Sequence, residues 1–243
     1  MGPLRGLTGM LWGSDADLSC YDKMVLNSNG NFSSKVCVAI LRQSDIIITN
    51  PPFSLFRDYL AMLMRHHKQF LIIGNMNAVT YKDVFPLFKD HKMWYGISIH
   101  SGDREFSVPD DYDLYASGCY VGADHQKYIR VKGVRWFTNL ACSQMCAALE
   151  LHCSYYENPD NYSNYDEFDA INIDSVKDIP YDYDGIMGVP ISFLDKWCLE
   201  QFELLNCNDY RRDGSKSNSL DMVARPHING RTIYRRIFIK RLR

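Results

Sequence analysis

The sequence predicts an α/β protein built around a parallel sheet of the doubly wound type. The run Ile46–Thr49 consists of β-branched residues and is too short for an amphipathic helix, as is typical of a buried strand in a parallel sheet. A helical apolar pattern follows over residues 55–67, and a second apolar run, Gln69–Asn75, comes next. Strands alternating with helices in this way predict parallel strands joined by crossover helices.

The first predicted strand ends abruptly at the tetrapeptide Asn50-Pro51-Pro52-Phe53. Neither proline can donate a hydrogen bond to a sheet, so the backbone must leave the strand in a fixed, extended shape. Ser54 is the predicted N-cap of the following helix. The tetrapeptide is therefore expected at the carboxyl end of a parallel strand, which is where ligands bind in open α/β sheets.

These residue types suit an amino group on a planar ring. The side-chain carbonyl of Asn50 and the main-chain carbonyl of Pro51 can accept both hydrogens of such an amine, and Phe53 offers a flat face for stacking. The nitrogen lone pair then stays free to attack an electrophilic methyl group, without a strong general base. The alternative interpretation is that the two prolines only terminate a strand.

The stretch over residues 45–56 resembles motif IV of the EcoRI-type adenine-N6 DNA methyltransferases, the modification enzymes of restriction systems. Further similar blocks follow in the family's order at residues 70–75, 134–140, 165–172 and 178–190. The resemblance implies a Rossmann-like, S-adenosylmethionine-dependent methyltransferase sheet. It also implies transfer of a methyl group to an adenine that is flipped out of double-stranded DNA, and functional pairing with a restriction endonuclease.

The resemblance assigns roles to the tetrapeptide and divides the chain into three regions. Asn50 and the Pro51 carbonyl would hold the adenine amine, Pro52 would stiffen the turn, and Phe53 would stack on the flipped ring. Family members carry a further N-terminal half with the cofactor loop, which residues 1–43 do not match, so we expect an N-terminally truncated chain and assign no cofactor-binding residue. Residues 44–140 would form the later half of the core, and residues 141–243 a target-recognition and DNA-contact region.

Further elements are expected along the chain. Residues 81–89 predict a short helix with Val84, Phe85 and Phe88 on its apolar face, and residues 93–100 and 131–140 predict strands. Cys142, Cys146, His152 and Cys153 lack the paired spacing of structural zinc sites, so we interpret the cysteines as core residues and predict no metal.

Candidate DNA contacts come from basic residues. Residues 211–243 contain ten lysines and arginines against Asp213 and Asp221, whereas residues 155–184 are acidic and are expected to form a solvated loop face. Isoleucines alternate with the basic residues of the tail, which predicts a strand with a basic face, although a charged edge strand is an alternative. The predicted contacts are Arg135, Arg231, Arg235, Arg236 and Lys240.

Bulk properties limit the function classes. The 243 residues, 46% of them hydrophobic, can form one large core, and no apolar run is long enough to span a membrane. Eight irregularly spaced cysteines favour reduced thiols and a cytoplasmic location. Two alternatives to DNA methylation stay open. One is methylation of an RNA base or a protein glutamine, and the other is a catalytically silent fragment that at most binds DNA.

Overall fold

The computed structural model describes residues 31–97, 104–111, 113, 118–141, 147–167, 169–207 and 226–242. The helices in these ranges are α1 (Lys35–Gln43), α2 (Phe56–Arg65) and α3 (Phe85–Lys89). The strands are β1 (Ile46–Thr49), β2 (Gln69–Asn75), β3 (Trp94–Tyr95), β4 (Arg104–Val108), β5 (Cys119–Val121), β6 (Lys127–Val131), β7 (Val134–Thr138), β8 (Ile171–Asn172), β9 (Met187–Pro190), β10 (Phe202–Cys207), β11 (His227–Ile228), β12 (Arg231–Thr232) and β13 (Arg236–Arg241). The prediction of a mixed α/β protein is confirmed.

The first sheet has the strand order β1-β2-β7-β3. β1 and β2 are parallel, as predicted, and α2 connects them. β7 lies between β2 and β3 and runs antiparallel to both, so β3 is parallel to β2. The carboxyl ends of β1 and β2 therefore share one edge of the sheet with the first residues of β7.

The second sheet, β10-β13-β9-β8, is formed entirely by the C-terminal part of the chain. β13 lies in its interior and is antiparallel to β10 and to β9. Two smaller sheets complete the described strands: a three-stranded sheet, β4-β6-β5, inserted between β3 and β7, and the two-stranded hairpin β11-β12.

A single hydrophobic cluster of buried residues extends from the first sheet into the second. Phe70, Phe88 and Phe137 belong to it from the N-terminal side, and Phe193 and Phe202 belong to it from the C-terminal side. All five side chains are fully buried. The ring of Phe137 contacts Phe56, Phe88 and Tyr95, with centroids 4.8 to 6.1 Å apart. These ring contacts stabilise the first sheet and its helices, and the cluster as a whole joins that sheet to the second.

Gly74 on β2 allows α2 to pack closely on the sheet. A Cβ atom at this position would lie 2.5 Å from Cε2 of Phe56 and 2.9 Å from Cε2 of Phe137. The glycine thus serves helix–sheet packing. No helix in the described ranges is long and apolar enough to cross a membrane.

Several local predictions differ from the structure. β1 is not a buried strand: it lies at the edge of the described sheet, and only Ile47 is buried, whereas Ile46 and Ile48 are 44% and 55% exposed. Ser54 is not an N-cap. Residues Phe53–Leu55 form a 3-10 turn, closed by the Leu55 N–H donating to the Pro52 carbonyl at 2.9 Å, so α2 begins one residue later.

The later elements are shorter than predicted. The helix expected over residues 81–89 is confined to Phe85–Lys89, although Val84, Phe85 and Phe88 are buried as predicted. The strand expected over residues 93–100 covers only Trp94–Tyr95, and residues 98–100 lie outside the described ranges.

The C-terminal strand does not present a basic face. β13 pairs with β10 along one edge and with β9 along the other, and Ile237, Phe238 and Ile239 are buried one after another. Both faces of this part of the strand are therefore covered. Strand alternation separates apolar from charged residues only where one face meets solvent. The alternative of a charged edge strand is wrong because both edges of β13 are paired with neighbouring strands.

A buried ion pair joins the two sheets. The Arg135 guanidinium, on β7, donates from Nε and Nη2 to the two carboxylate oxygens of Asp195 at 2.7 and 2.8 Å, and from Nη1 to the Val134 carbonyl at 2.8 Å. The side chains of Arg135 and Asp195 are only 4% and 5% exposed. Asp195 ends the 3-10 turn Ile191–Asp195 that follows β9. Arg135 is therefore occupied inside the protein, and we no longer assign it a contact with a DNA phosphate.

We expect Arg135→Ala to destabilise the fold by about 3–5 kcal/mol, because it leaves the Asp195 carboxylate buried without its partner. Urea unfolding followed by circular dichroism measures the change. The matched control is Arg130→Ala, which breaks the exposed Arg130–Glu105 pair at 3.2 Å and should cost less than about 1 kcal/mol.

The double variant Arg135→Met with Asp195→Leu should recover most of the lost stability, because it removes both charges at once. Equal costs for Arg135→Ala and Arg130→Ala would contradict the structural role of the buried pair.

Candidate active site

The tetrapeptide Asn50-Pro51-Pro52-Phe53 lies where β1 ends, as the sequence predicts. Pro51 is buried, whereas Asn50 and Pro52 are exposed and the Phe53 side chain is 40% exposed. Pro52 has φ −55° and ψ 129°, an extended conformation that directs the chain out of the sheet. The turn is thus anchored by one proline and presents polar and aromatic groups to solvent.

Two hydrogen-bond acceptors on this turn are available to a ligand. Within the described part of the chain, no residue donates to the side-chain carbonyl of Asn50 or to the main-chain carbonyl of Pro51. The next carbonyl, that of Pro52, is used by the Leu55 N–H. The structure therefore leaves open the two acceptors that the sequence singles out, and it places the exposed Phe53 ring directly after them.

The loop after β2 lies at the same edge of the sheet as the tetrapeptide. Its 3-10 turn, Met76–Thr80, begins with Asn75, whose side chain accepts from the Asn77 N–H at 2.9 Å. The Met76 N–H donates to the Gly133 carbonyl in the connection between β6 and β7 at 2.6 Å. One hydrogen bond thus holds the loop in shape, and the other fixes it to the connection between β6 and β7.

The first turn of α2 is tied to the chain that follows this loop. The Arg57 Nε donates to Asp83 Oδ2 at 3.0 Å, and the guanidinium lies 5.8 Å from the centroid of the Tyr81 ring. The hydrogen bond that Arg57 donates to the Asp83 carboxylate raises the pKa of the Arg57 side chain. Both side chains are about half exposed, so the pair places the two segments relative to each other more than it adds stability.

The C-terminal part of the chain also reaches this edge. The Arg235 Nη1 donates to Thr80 Oγ1 at 2.8 Å and contacts the Asn77 carbonyl at 3.4 Å. The Tyr234 hydroxyl donates to Asn77 Oδ1 at 3.3 Å. Tyr234 is a residue at this edge that the sequence pattern did not single out, since nothing local distinguishes it from the other tyrosines of the chain.

The predicted DNA-contacting residues of the tail divide into two groups. The Arg236 side chain is 12% exposed and donates to Asn172 Oδ1 at 3.0 Å and to the Tyr234 carbonyl at 3.3 Å. Arg235 donates to Thr80 Oγ1. Both arginines therefore make their contacts within the protein. Arg231, in the β11-β12 hairpin, and Lys240, opposite Glu203 at the end of β13, are exposed. Only these last two have the accessibility that a phosphate contact needs.

Many carboxylates of the acidic segment are bound within the protein. The Asp166 carboxylate accepts from the N–H groups of Asn229 and Gly230 at 2.9 and 2.8 Å. Glu167 contacts Nδ1 of His227 at 2.5 Å. Asp182 accepts from the Tyr155 N–H at 2.7 Å. Asp166 and Glu167 are nevertheless exposed, as expected of a solvated loop face, and Asp182 is half-buried. These carboxylates also hold neighbouring loops and the β11-β12 hairpin in place.

No group of side chains in the described ranges could hold a metal ion. Cys142 and Cys146 lie outside those ranges, while the His152 side chain is 78% exposed and Cys153 is half-buried.

The described residues fit the methyl-accepting side of a reaction better than the donor side. A nucleotide-like methyl donor needs a backbone loop that approaches it closely at the end of a strand. Gly74 is the glycine nearest this edge on β2, and the space beside it is occupied by the rings of Phe56 and Phe137. The described residues thus supply no cradle for S-adenosylmethionine, and none is assigned to it.

A pair of acceptors to which no described residue donates, on a proline-stiffened turn at the carboxyl end of a parallel strand, is the arrangement expected of an amine-directed methyltransferase. The family model described as adenine-specific methyltransferase EcoRI matches residues 11–242. The chain belongs to this family.

Named relatives agree with this membership. The Type II methyltransferase M.EcoRI of Escherichia coli is 42% identical over 215 residues, which are 88% of this chain and 63% of the relative. The Type II methyltransferase M.MpnI of Mycoplasma pneumoniae is 40% identical over 229 residues, 90% of this chain and 70% of the relative. This chain thus spans somewhat less than two thirds of the Escherichia coli protein. No solved structure matches the chain significantly.

We expect the stability of the protein to fall as the pH rises above about 10, partly because of Tyr59 on α2. Burial raises the pKa of Tyr59 from 10.0 to about 12, and its ring packs edge-on against Phe32 at 5.3 Å. The unfolded chain then loses this proton at a lower pH than the folded one, so the stabilisation is complete below pH 10 and is lost towards pH 12. Urea midpoints at pH 8 and 11 measure it, and Tyr59→Phe should lose less stability between these values than the wild type does.

Proposed function

We propose that the chain carries the methyl-accepting site of an adenine-N6 DNA methyltransferase. The observation that carries this proposal is the pair of open acceptors, Asn50 Oδ1 and the Pro51 carbonyl, beside the exposed Phe53 ring at the end of β1. The reaction is transfer of a methyl group from S-adenosylmethionine to the exocyclic amine of an adenine in double-stranded DNA. Membership of the family and relatives named as Type II methyltransferases support this substrate class.

The first sheet supports a Rossmann-like methyltransferase core. β1, β2 and β3 run in one direction, α2 crosses between the first two, and the reactive turn lies at their carboxyl edge. Ligand sites in doubly wound folds lie at this edge. Residues 44–140 would then be the later half of the core and residues 141–243 the region that contacts the target DNA.

The residues of the turn have separate tasks in the reaction. The Asn50 side-chain oxygen and the Pro51 carbonyl accept the two N–H bonds of the adenine amine, which raises electron density on its nitrogen and orients the lone pair outward. Pro52 keeps the two acceptors in place, and Phe53 stacks on the base after it leaves the helix. The amine proton departs during or after transfer, so no strong base is needed.

S-adenosylmethionine would supply an electrophilic methyl group on a sulfonium centre. The chain's own contribution is to hold the attacking nitrogen still and to exclude other orientations of the base. Arg231 and Lys240, the two exposed basic residues of the described tail, would contact phosphates of the duplex. A restriction endonuclease that cuts the same site is the functional partner of such an enzyme.

We expect Asn50→Ala to lower the methylation rate by about 10²–10³-fold, the usual loss when one polar group that stabilises the transition state is removed. Transfer of a tritiated methyl group to unmethylated genomic DNA measures the rate. Ser54→Ala, an exposed polar substitution in the same turn, is the matched control and should leave the rate unchanged.

The choice of methyl acceptor separates the proposal from its alternatives. Methyl label in total RNA or in protein, with none in duplex DNA, would show that the substrate is RNA or protein and not DNA. DNA binding without any methyl transfer would indicate a catalytically silent fragment. Full activity of Asn50→Ala on DNA would contradict the assigned mechanism.

We expect Phe53→Ala to weaken productive binding of the flipped base, whereas Phe53→Tyr should keep most activity, because base–aromatic stacking contributes about 1–3 kcal/mol and needs only a planar ring. KM and kcat for DNA measured separately test this expectation. A loss in Phe53→Tyr as large as that in Phe53→Ala would argue against stacking.

A further inference from the structure

The segment between β12 and β13 holds an exposed tyrosine in a fixed position. Tyr234 is 66% exposed, although the residues on both sides of it are fixed. Ile233 packs against the smaller hydrophobic cluster around Tyr165 and Phe238, and its N–H donates to the Pro226 carbonyl at 2.9 Å. The exposure of the Tyr234 ring is therefore not that of a loose loop.

Three further contacts fix the Tyr234 backbone and its ring. Arg235 points inward and donates to Oγ1 of Thr80, a residue that is itself 2% exposed. Arg236 donates to the Tyr234 carbonyl at 3.3 Å. The Tyr234 hydroxyl donates to Asn77 Oδ1, so the ring is also held at its far end. An aromatic ring that is both exposed and anchored has already lost the entropy that binding would otherwise cost.

The ring lies at the same edge of the first sheet as the candidate active site. Asn77 and Thr80 belong to the turn that follows β2, and the parallel strand β1 ends at Thr49, directly before Asn50, on the same edge of the sheet. The Arg57–Asp83 pair links the helix after the tetrapeptide to the chain directly after that turn. Tyr234 thus reaches from the C-terminal region to the edge on which the methyl-accepting turn lies.

We propose that Tyr234 contacts the DNA bases next to the reaction site, and that Arg235 is the positioning residue that holds it there. The inference rests on the function proposed above. Extruding an adenine leaves neighbouring bases without a stacking partner, and a rigid aromatic ring at the site can replace that partner. The phenol also carries no charge, so it can enter the base stack at a lower desolvation cost than an arginine.

The β11-β12 hairpin adds a phosphate contact close by in the chain. Its turn is fixed by Asp166, which accepts from the N–H groups of Asn229 and Gly230. Arg231 follows the turn and is exposed, three residues before Tyr234. A basic side chain on a DNA phosphate positions the protein on the duplex, and a contact with the bases adds to it beside the reaction site.

The test compares Tyr234→Ala and Tyr234→Phe with Tyr156→Ala, a control that removes another highly exposed tyrosine, 70% exposed, from the acidic segment. Sequencing of the positions methylated by the wild-type chain first identifies the target site. A duplex carrying that site, with 2-aminopurine in place of the target adenine, then reports flipping by fluorescence, and anisotropy at fixed salt reports the Kd. Methylation of the unmodified duplex gives KM and kcat.

We expect Tyr234→Ala to raise the Kd by about 5- to 150-fold and to reduce the 2-aminopurine signal, the range that one base–aromatic contact covers. Tyr234→Phe should retain most of the binding, and Tyr156→Ala should match the wild type. Arg235→Ala should raise KM for DNA with little change in its urea midpoint, because the ring is then no longer held in place.

Three results would overturn the inference. If Tyr234→Ala binds and flips DNA as Tyr156→Ala does while the wild type methylates normally, Tyr234 does not contact the bases, and the proposed function stands. If Arg235→Ala lowers stability and the active fraction but leaves KM unchanged, the residue is only structural. If the wild-type chain neither binds nor methylates duplex DNA, the proposed function fails and this inference fails with it.

Discussion

The buried ion pair between Arg135 and Asp195 is the interaction on which the relative placement of the two sheets depends. Both groups are almost entirely removed from water, so each must satisfy the other, and the bidentate geometry allows little variation in distance or angle. The pair fixes β7 of the first sheet against the turn after β9. Because β13 lies beside β9, this contact also determines where the chain before β13 meets the loop that follows β2.

The fold also pairs acidic and basic residues that are far apart in the sequence. Acidic residues cluster before residue 185 and basic residues cluster after residue 210, a separation that suggests a nucleic-acid surface. In the folded chain Asp184 lies 3.4 Å from the Arg241 guanidinium and Asp174 lies 3.6 Å from Arg236, so part of this charge is neutralised within the protein. What remains accessible on the described tail is a smaller set, Arg231 and Lys240, beside an exposed tyrosine. Within the described residues, the segregated charge pattern therefore overstates the basic surface.

Local structure was predicted correctly where a residue type restricts the conformation of the backbone. The bounds of β1 and β2 match the apolar runs, and the position of the reactive turn follows from two prolines that cannot join a sheet. The start of α2 was misplaced because a main-chain hydrogen bond to Pro52 took the place of a Ser54 cap. The basic face predicted for β13 failed because alternation gives no information about a strand that is covered on both sides.

The sequence by itself determined that an asparagine, two prolines and a phenylalanine end an apolar strand, since proline geometry acts within a few bonds. Only the tertiary structure decided which charges pair and what stands beside that turn. Arg135 and Asp195 are 60 residues apart, and Tyr234 and Asn77 are 157 residues apart. Contacts at such separations depend on how whole sheets pack, which no short window of sequence encodes.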